Sequence, residues 1–169
     1  MANVTSSTIG VDLNNPSSTA LFALGTKVFG STDSEWEYCI ATGTLATGAL
    51  VQISPLGTAI ACTTAILNTN NPNVGDLGLA QFTIPQGQYA WIPTRGKSLY
   101  VACTGTITPV VQIGLSPTAG TIITGGAVAL GQTMAGIQLE VSASTATASI
   151  TTCTLQWPRF VTAGTSVVG

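Results

Sequence analysis

The chain has 169 residues, a formal net charge of −2, and only 6% charged residues against 45% hydrophobic ones, where an ordinary soluble domain carries roughly 25% charge. Four Lys and Arg in all exclude a strongly basic nucleic-acid-binding face, because phosphate contacts need clustered cations and only Arg95 and Lys97 stand close together. Histidine is absent, which removes the commonest general base and neutral metal ligand, and with them Ser-His-Asp, Cys-His and His-rich zinc arrangements.

The length suits one domain with a core large enough to need no disulfide staples. Low charge alone could mean disorder or a membrane protein. A positive mean hydropathy with three Trp, three Tyr and four Phe argues against disorder. The most apolar window, 119–139, is broken by Thr, Gln and Gly, so it lacks the unbroken run of about 20 residues that a spanning helix needs. The opening Met-Ala-Asn-Val-Thr-Ser-Ser has neither a positive nor an apolar leader region, so no secretory signal is expected. The expectation is therefore a protein with no membrane and no nucleic-acid partner.

Taken in chain order, residues 1–19 are polar, turn-rich and aperiodic, and read as an extended N-terminal arm before a single β domain over 20–169. From there, short β-branched or aromatic runs alternate with Gly, Pro, Asn and Ser, the pattern of an all-β domain. Strands are predicted over 20–29, 35–41, 49–54, 58–63, 77–84, 88–92, 98–104, 109–115, 121–124, 137–142 and 148–157. Long helices are not expected, the one tolerable candidate being a turn or two over 127–135. In 35–41, Trp36, Tyr38 and Ile40 share one face, expected to pack, while Glu35, Glu37 and Cys39 share the other, expected to be partly wet. Tyr89 and Trp91 likewise share a face, and a core position suits their rings.

A faint internal repeat is also present. Tyr38-Cys39-Ile40-Ala41-Thr42-Gly43-Thr44 runs into Val51-Gln52-Ile53, and Tyr100-Val101-Ala102-Cys103-Thr104-Gly105-Thr106 runs into Val111-Gln112-Ile113. Two such meanders would build a compact antiparallel β-barrel or β-sandwich from similar halves.

Motifs for chemistry are near-misses. Thr94-Arg95-Gly96-Lys97-Ser98 resembles the end of a phosphate-binding loop, but Trp91 stands where its first Gly belongs, and a charged hairpin tip explains Arg95-Gly96-Lys97 better. Asp33, Glu35 and Glu37 would line one face of an extended chain and could meet a hard cation, yet no loop supplies the remaining oxygens, so no metal site is assigned. Nothing places two of the six acids across a cleft as glycoside hydrolysis requires. Cys39, Cys62, Cys103 and Cys153 are even in number, but without CxxC spacing or a secretory signal they read as buried apolar thiols. Asn3-Val4-Thr5 is a glycosylation sequon without a secretory context. No catalytic residue and no cofactor is assigned, and an enzyme is not expected.

Several segments carry a resemblance. Leu24-Gly25-Thr26, Asp33-Ser34-Glu35-Trp36-Glu37-Tyr38 and Ala49-Leu50-Val51-Gln52-Ile53, then Val74-Gly75-Asp76-Leu77-Gly78-Leu79-Ala80, Gly87-Gln88-Tyr89-Ala90-Trp91-Ile92, Gly96-Lys97 and Thr118-Ala119-Gly120, together resemble the small β-rich head decoration, or cement, proteins of tailed bacteriophages. The resemblance covers roughly residues 24–126. It implies a non-enzymatic virion protein on the outer surface of the capsid, assembled in the host cytoplasm. Such a protein is commonly a homotrimer and clamps neighbouring copies of the major capsid protein. On that view the arm would order on binding along the shell. The only cations available for a partner contact are Lys27, Arg95, Lys97 and Arg159. The alternative is a tail-fibre or spike head domain that binds a host receptor, although heptads and a collagen-like stem are lacking.

Overall fold

The β-branched runs form ten strands in the computed structural model, which describes residues 12–30, 33–63, 75–107, 113–116, 118–124, 133–140 and 143–161. They are β1 Lys27–Phe29, β2 Glu35–Ala41, β3 Leu50–Ile53, β4 Thr58–Ala61, β5 Leu77–Leu79, β6 Tyr89–Ile107, β7 Ile113–Leu115, β8 Ile122–Thr124, β9 Thr133–Leu139 and β10 Ala143–Val161. Among the described residues there is no helix, and 133–135, the described end of the helical candidate, belongs to a strand. The architecture is an all-β barrel with additional strands. Strands β6, β8, β7, β9 and β10 follow one another around a ring that closes where β10 pairs back onto β6. The other sheet path runs from β6 through β2, β4 and β3 to β5, with β1 added on the outer edge of β2. Ladders are antiparallel except β2 with β4 and β6 with β8.

The internal repeat appears in the ladder registers. Its second segment is shifted by two from the sequence match: Val51, aligned there with Val111, corresponds in the ladders to Ile113, since Val51 faces Ala61 and Gly78 and, 62 residues on, Ile113 faces Thr124 and Met134. Tyr38 pairs with Trp91 and Tyr100 pairs with Thr152, so the first strands are offset by 62 and the last by 61. Each half is thus the same five-strand unit, and the long β6 serves twice, ending the first unit and beginning the second. The halves close differently. A Cβ on Gly78 would stand 2.8 Å from the Pro93 carbonyl oxygen. A strand residue directs its N–H and C=O to the same flank, and Pro93 has no N–H to give. The first unit therefore closes by packing a glycine against β6, whereas β9 and β10 form a true ladder from Cys153↔Leu139 onward.

Apolar alternation sorts side chains into three clusters. One fills the ring between β6 and β10, with Leu99, Val101, Cys103, Leu115, Ile122, Leu139, Cys153 and Leu155, and extends to Leu50, Leu77 and Leu79. A second, including Cys39, Val51, Ile53, Ala59 and Ile92, fills the first unit. The third lies on the outer face of β2 and β6, where Leu13 packs with Trp36, Tyr38 and Trp91, and Phe22 sets its ring edge-on to Tyr38 and Trp91. Residues 12–19 thus lie against the domain, with Ser17 bridged to Tyr89 through both backbone amides at 2.8 Å. The first eleven residues of the expected arm lie outside the described ones.

Several sequence expectations are corrected. Arg95-Gly96-Lys97 is not a hairpin tip, because β6 runs unbroken through it. Gly96 at φ 155° and Ser98 at φ 54° absorb the irregularity as a bulge instead of a reversal. The expected wet face of β2 is covered, with Glu35, Glu37 and Cys39 all buried, because β1 and the interior of the first unit shield it. The strand over 20–29 is confined to β1, since a turn at 24–25 with Gly25 at φ 78° intervenes. The strand over 77–84 ends at Leu79, and Ile84 forms an isolated bridge to Leu45. All four cysteines are buried free thiols. Burial pushes Cys62 and Cys153 up to about 12 and raises Cys39 and Cys103 as well, so these sulfurs stay protonated and poorly nucleophilic.

Candidate recognition site at the barrel junction

Three ladder irregularities converge where β6 passes from one unit to the other. Between Glu35↔Arg95 and Trp36↔Pro93, β6 carries Thr94 as an extra residue. Between Leu155↔Gly96 and Cys153↔Leu99, it sets Lys97 and Ser98 against the single Thr154. Between Leu155↔Ile137 and Arg159↔Ala135, β10 sets Gln156, Trp157 and Pro158 against Gly136. Bulges re-aim side chains and concentrate at barrel rims and functional sites. Here they border one open pocket of about 210 Å³, whose walls include Asp33, Arg95, Lys97, Thr154, Gln156 and Trp157.

Backbone strain gathers at the same place. Among the described residues, the non-glycine residues with positive φ are Asp33 (58°), Ser98 (54°) and Trp157 (43°), and all three border this pocket or adjoin a residue that does. A bulky residue in the left-handed region is an outlier that costs on the order of 1–3 kcal/mol. The repeat sharpens the point, since the offset of 61 between the last strands of the two units places Trp157 where the first unit has Gly96. Gly96 stands at φ 155°, whereas Trp157 stands in the left-handed region at φ 43° without a glycine's freedom.

The surroundings explain how Trp157 is held. Its indole N–H donates to Glu35 Oε2 at 3.3 Å, and the Arg95 guanidinium lies over its ring, 4.6 Å from the centroid. Arg95 is in turn paired with the Asp33 carboxylate and donates from Nε to the Asp33 carbonyl at 3.0 Å. On the other side, Glu35 Oε1 lies 3.4 Å from Lys27 Nζ, which also approaches Asp76 at 2.6 Å and Glu37 at 3.7 Å. A continuous chain of contacts therefore runs Asp76, Lys27, Glu35, Trp157, Arg95, Asp33. Even so, 58% of Trp157 remains exposed. At the neighbouring bulge, Glu140 accepts from the Ser98 amide at 2.9 Å, the Ser98 hydroxyl at 3.1 Å and the Thr154 hydroxyl at 2.9 Å. Partial burial pulls Glu140 upward, but these hydrogen bonds together outweigh it and hold the carboxyl below its ordinary value.

The four cations divide cleanly. Lys27 and Arg95 are neutralised within the chain, whereas Lys97 and Arg159 are exposed and have no ion pair among the described residues. The structure brings Arg95 and Lys97 together at the pocket, with Lys27 one carboxylate away and Arg159 just beyond the β10 bulge. The Asp33, Glu35, Glu37 spacing is taken up by these contacts, with Lys27 Nζ among the carboxylates in the place a cation would occupy. Sequence reasoning missed Trp157 and Gly136. The signal was Trp157-Pro158 at the end of a strand pattern, since a proline there marks a bulge or a strand end. A second exposed surface surrounds the edge strand β1, where Leu21, Leu24, Phe29 and Leu56 are solvent-facing and Leu56 is 80% exposed.

Glu37 makes the junction sensitive to acid. Its Oε2 is buried without a hydrogen-bond partner. Burial raises the carboxyl above its ordinary value, Lys27 opposes this, and Asp76 adds to it. Because the folded protein then holds a proton that the unfolded chain has released, stability must rise as pH falls from neutrality toward the ordinary glutamate value. No histidine titrates in that window, and Glu140 and Asp12, held low, oppose Glu37 only as the pH nears the ordinary carboxylate range. Thermal melts at pH 7.5 and pH 5 are expected to show the higher midpoint at pH 5, and Glu37→Gln is expected to flatten the difference.

No protein-family model matches the chain, and no curated protein matches it.

Proposed function

We propose that this protein is a non-enzymatic structural protein of a phage head, a decoration protein that binds the outer surface of the capsid and stabilises contacts between major capsid proteins. The observation that carries the recognition role is Trp157, kept exposed in a strained conformation over Arg95. Tryptophan and arginine are the residue types that most often dominate interface energy. The head assignment draws on the motifs at residues 24–54 and 74–120. The scarcity of charge supports it, since a surface with 6% charged residues suits permanent burial among repeated copies better than life as a free monomer. The apolar surface around β1 suits contact between copies in a homotrimer, because an edge strand flanked by exposed leucine and phenylalanine is open to further pairing.

The test is recovery on purified heads. Wild-type protein is expected to copurify with intact particles at a stoichiometry comparable to the main shell protein, and recovery only as a free soluble monomer would overturn the assignment. Trp157→Gly is the informative variant. Glycine adopts φ 43° without strain, so the loss of ring contacts is offset and folding stability should stay within about 1 kcal/mol of wild type. Occupancy on heads is nevertheless expected to fall by at least about tenfold, the cost of removing one central aromatic anchor.

A further inference from the structure

We infer that the junction pocket receives a single carboxylate from an acidic peptide segment, with an apolar neighbour of that carboxylate packing on the open face of Trp157. This names the chemistry of the partner and rests on the recognition role assigned to the junction above.

The molecule already displays the interaction. Asp33 places its own carboxylate on Arg95, from an exposed position in the left-handed region at φ 58°, which aspartate enters more readily than most residues. Lys97 borders the same pocket and has no anionic partner among the described residues. Asp33 occupies Arg95 and Glu140 is taken up by Ser98 and Thr154, so Lys97 is the cation left at the pocket with which an entering carboxylate can pair. The pocket, about 210 Å³, is smaller than the roughly 300–1,000 Å³ of small-molecule sites and matches a side chain instead. Trp157 at the rim supplies a flat apolar surface for the residue next to the acid.

The same surroundings reject other anions. Glu35 is tied to Trp157, and Glu37 and Asp76 lie behind it around Lys27. A polyanion such as nucleic acid or polyphosphate would bring more negative charge than Arg95 and Lys97 can match and would meet these carboxylates as well. One carboxylate on an otherwise apolar segment avoids that penalty.

The experiment follows the indole N–H resonances of the full chain by NMR, with the Trp157 signal assigned through Trp157→Phe, while blocked peptides are added. The probes are acetyl-Phe-Glu-Pro-amide, its Gln counterpart, acetyl-Phe-Ala with a free C-terminal carboxylate, and inorganic phosphate. The Glu peptide is expected to shift the Trp157 resonance, to bind about tenfold more tightly than the Gln peptide, and to lose that advantage in Lys97→Ala. Comparing the Glu peptide with the free C-terminus shows whether a side chain or a chain end supplies the carboxylate. Equal responses to Glu and Gln peptides, or tighter binding of phosphate, would overturn the inference. Failure here with retained, Trp157-dependent head binding leaves the functional reading standing; acidic-peptide binding by a protein never found on particles removes that reading and keeps the site.

Discussion

Replacing Trp36 with alanine is expected to cost about 3–5 kcal/mol of folding stability, the range for deleting a buried aromatic side chain. Trp36 is 1% exposed and packs with Leu13, Tyr38 and Trp91, while its indole N–H donates to Ser34 Oγ at 3.1 Å. Alanine there removes the ring that residues 12–22 lie against and leaves a cavity lined by rings too rigid to collapse into it. Since domains are stable by only about 5–15 kcal/mol, a loss of this size is a large share of the total. Urea denaturation measures it, and limited proteolysis gives an independent reading, because the segment carrying Leu13 and Phe22 should become cleavable well before the barrel unfolds. Trp36→Phe, which keeps most of the volume, should cost clearly less. Equal stability of Trp36→Ala and wild type would mean that the aromatic cluster does not hold the N-terminal segment.

Alanine at Gly136 is expected to cost about 3 kcal/mol, combining roughly 1–2 kcal/mol for an L-residue in the left-handed region with about 1–3 for overpacking. Gly136 sits at φ 83°, and a Cβ there would lie 2.9 Å from the Trp157 carbonyl oxygen and 3.1 Å from Pro158 Cα. The neighbours are backbone, so no rotamer change relieves the clash. The β10 bulge must shift, and Trp157 with it. Gly136→Ala should therefore lose both stability, measured by thermal melting, and the Trp157 indole shift on addition of the acidic peptide. Trp157→Gly, which has no such indole to follow, should keep its stability and lose occupancy on heads. That contrast separates the support from the contact: a Gly136→Ala protein as stable as wild type would show that the bulge is free to rearrange.

Much of the strand pattern was legible in the sequence. The limits of Glu35–Ala41 are legible, because period-two alternation of Trp36, Tyr38 and Ile40 against Glu35, Glu37 and Cys39 is a local signal. The internal repeat was legible for the same reason, since Tyr38 and Tyr100 open matching segments that the ladders then place in matching registers. Burial of the acidic face was not legible. It depends on Lys27, eight residues before Glu35, lying across from Glu37 in the β1 ladder, and on Asp76 arriving from far along the chain. The passage through Arg95-Gly96-Lys97 is not legible, because a turn and a bulge use the same residue types. The difference lies in the partner strand, here β10, which stays paired on both sides of Lys97 and Ser98. Gln81 is a further case. Its side-chain amide bonds the N–H and C=O of Tyr100 at 2.8 and 3.2 Å, the groups that in Tyr38 are met by the backbone of Thr26 and Gly25 at 2.9 Å. A side chain standing in for an edge strand leaves no periodic trace.

By itself, the sequence determined the class of the fold, its duplication and the absence of histidine chemistry, because periodicity, repetition and composition are properties of the chain alone. Closure of the ring, the doubled use of β6 and the junction pocket were decided only by tertiary structure. Asp33, Arg95, Gly136 and Trp157 are far apart in the chain, and what unites them is that separate irregularities of the β2–β6, β6–β10 and β9–β10 ladders meet at one place. The scarcity of charge was visible from the first residue count; that six of the ten charged residues join one chain of contacts running through an exposed tryptophan is a consequence of how the strands cross.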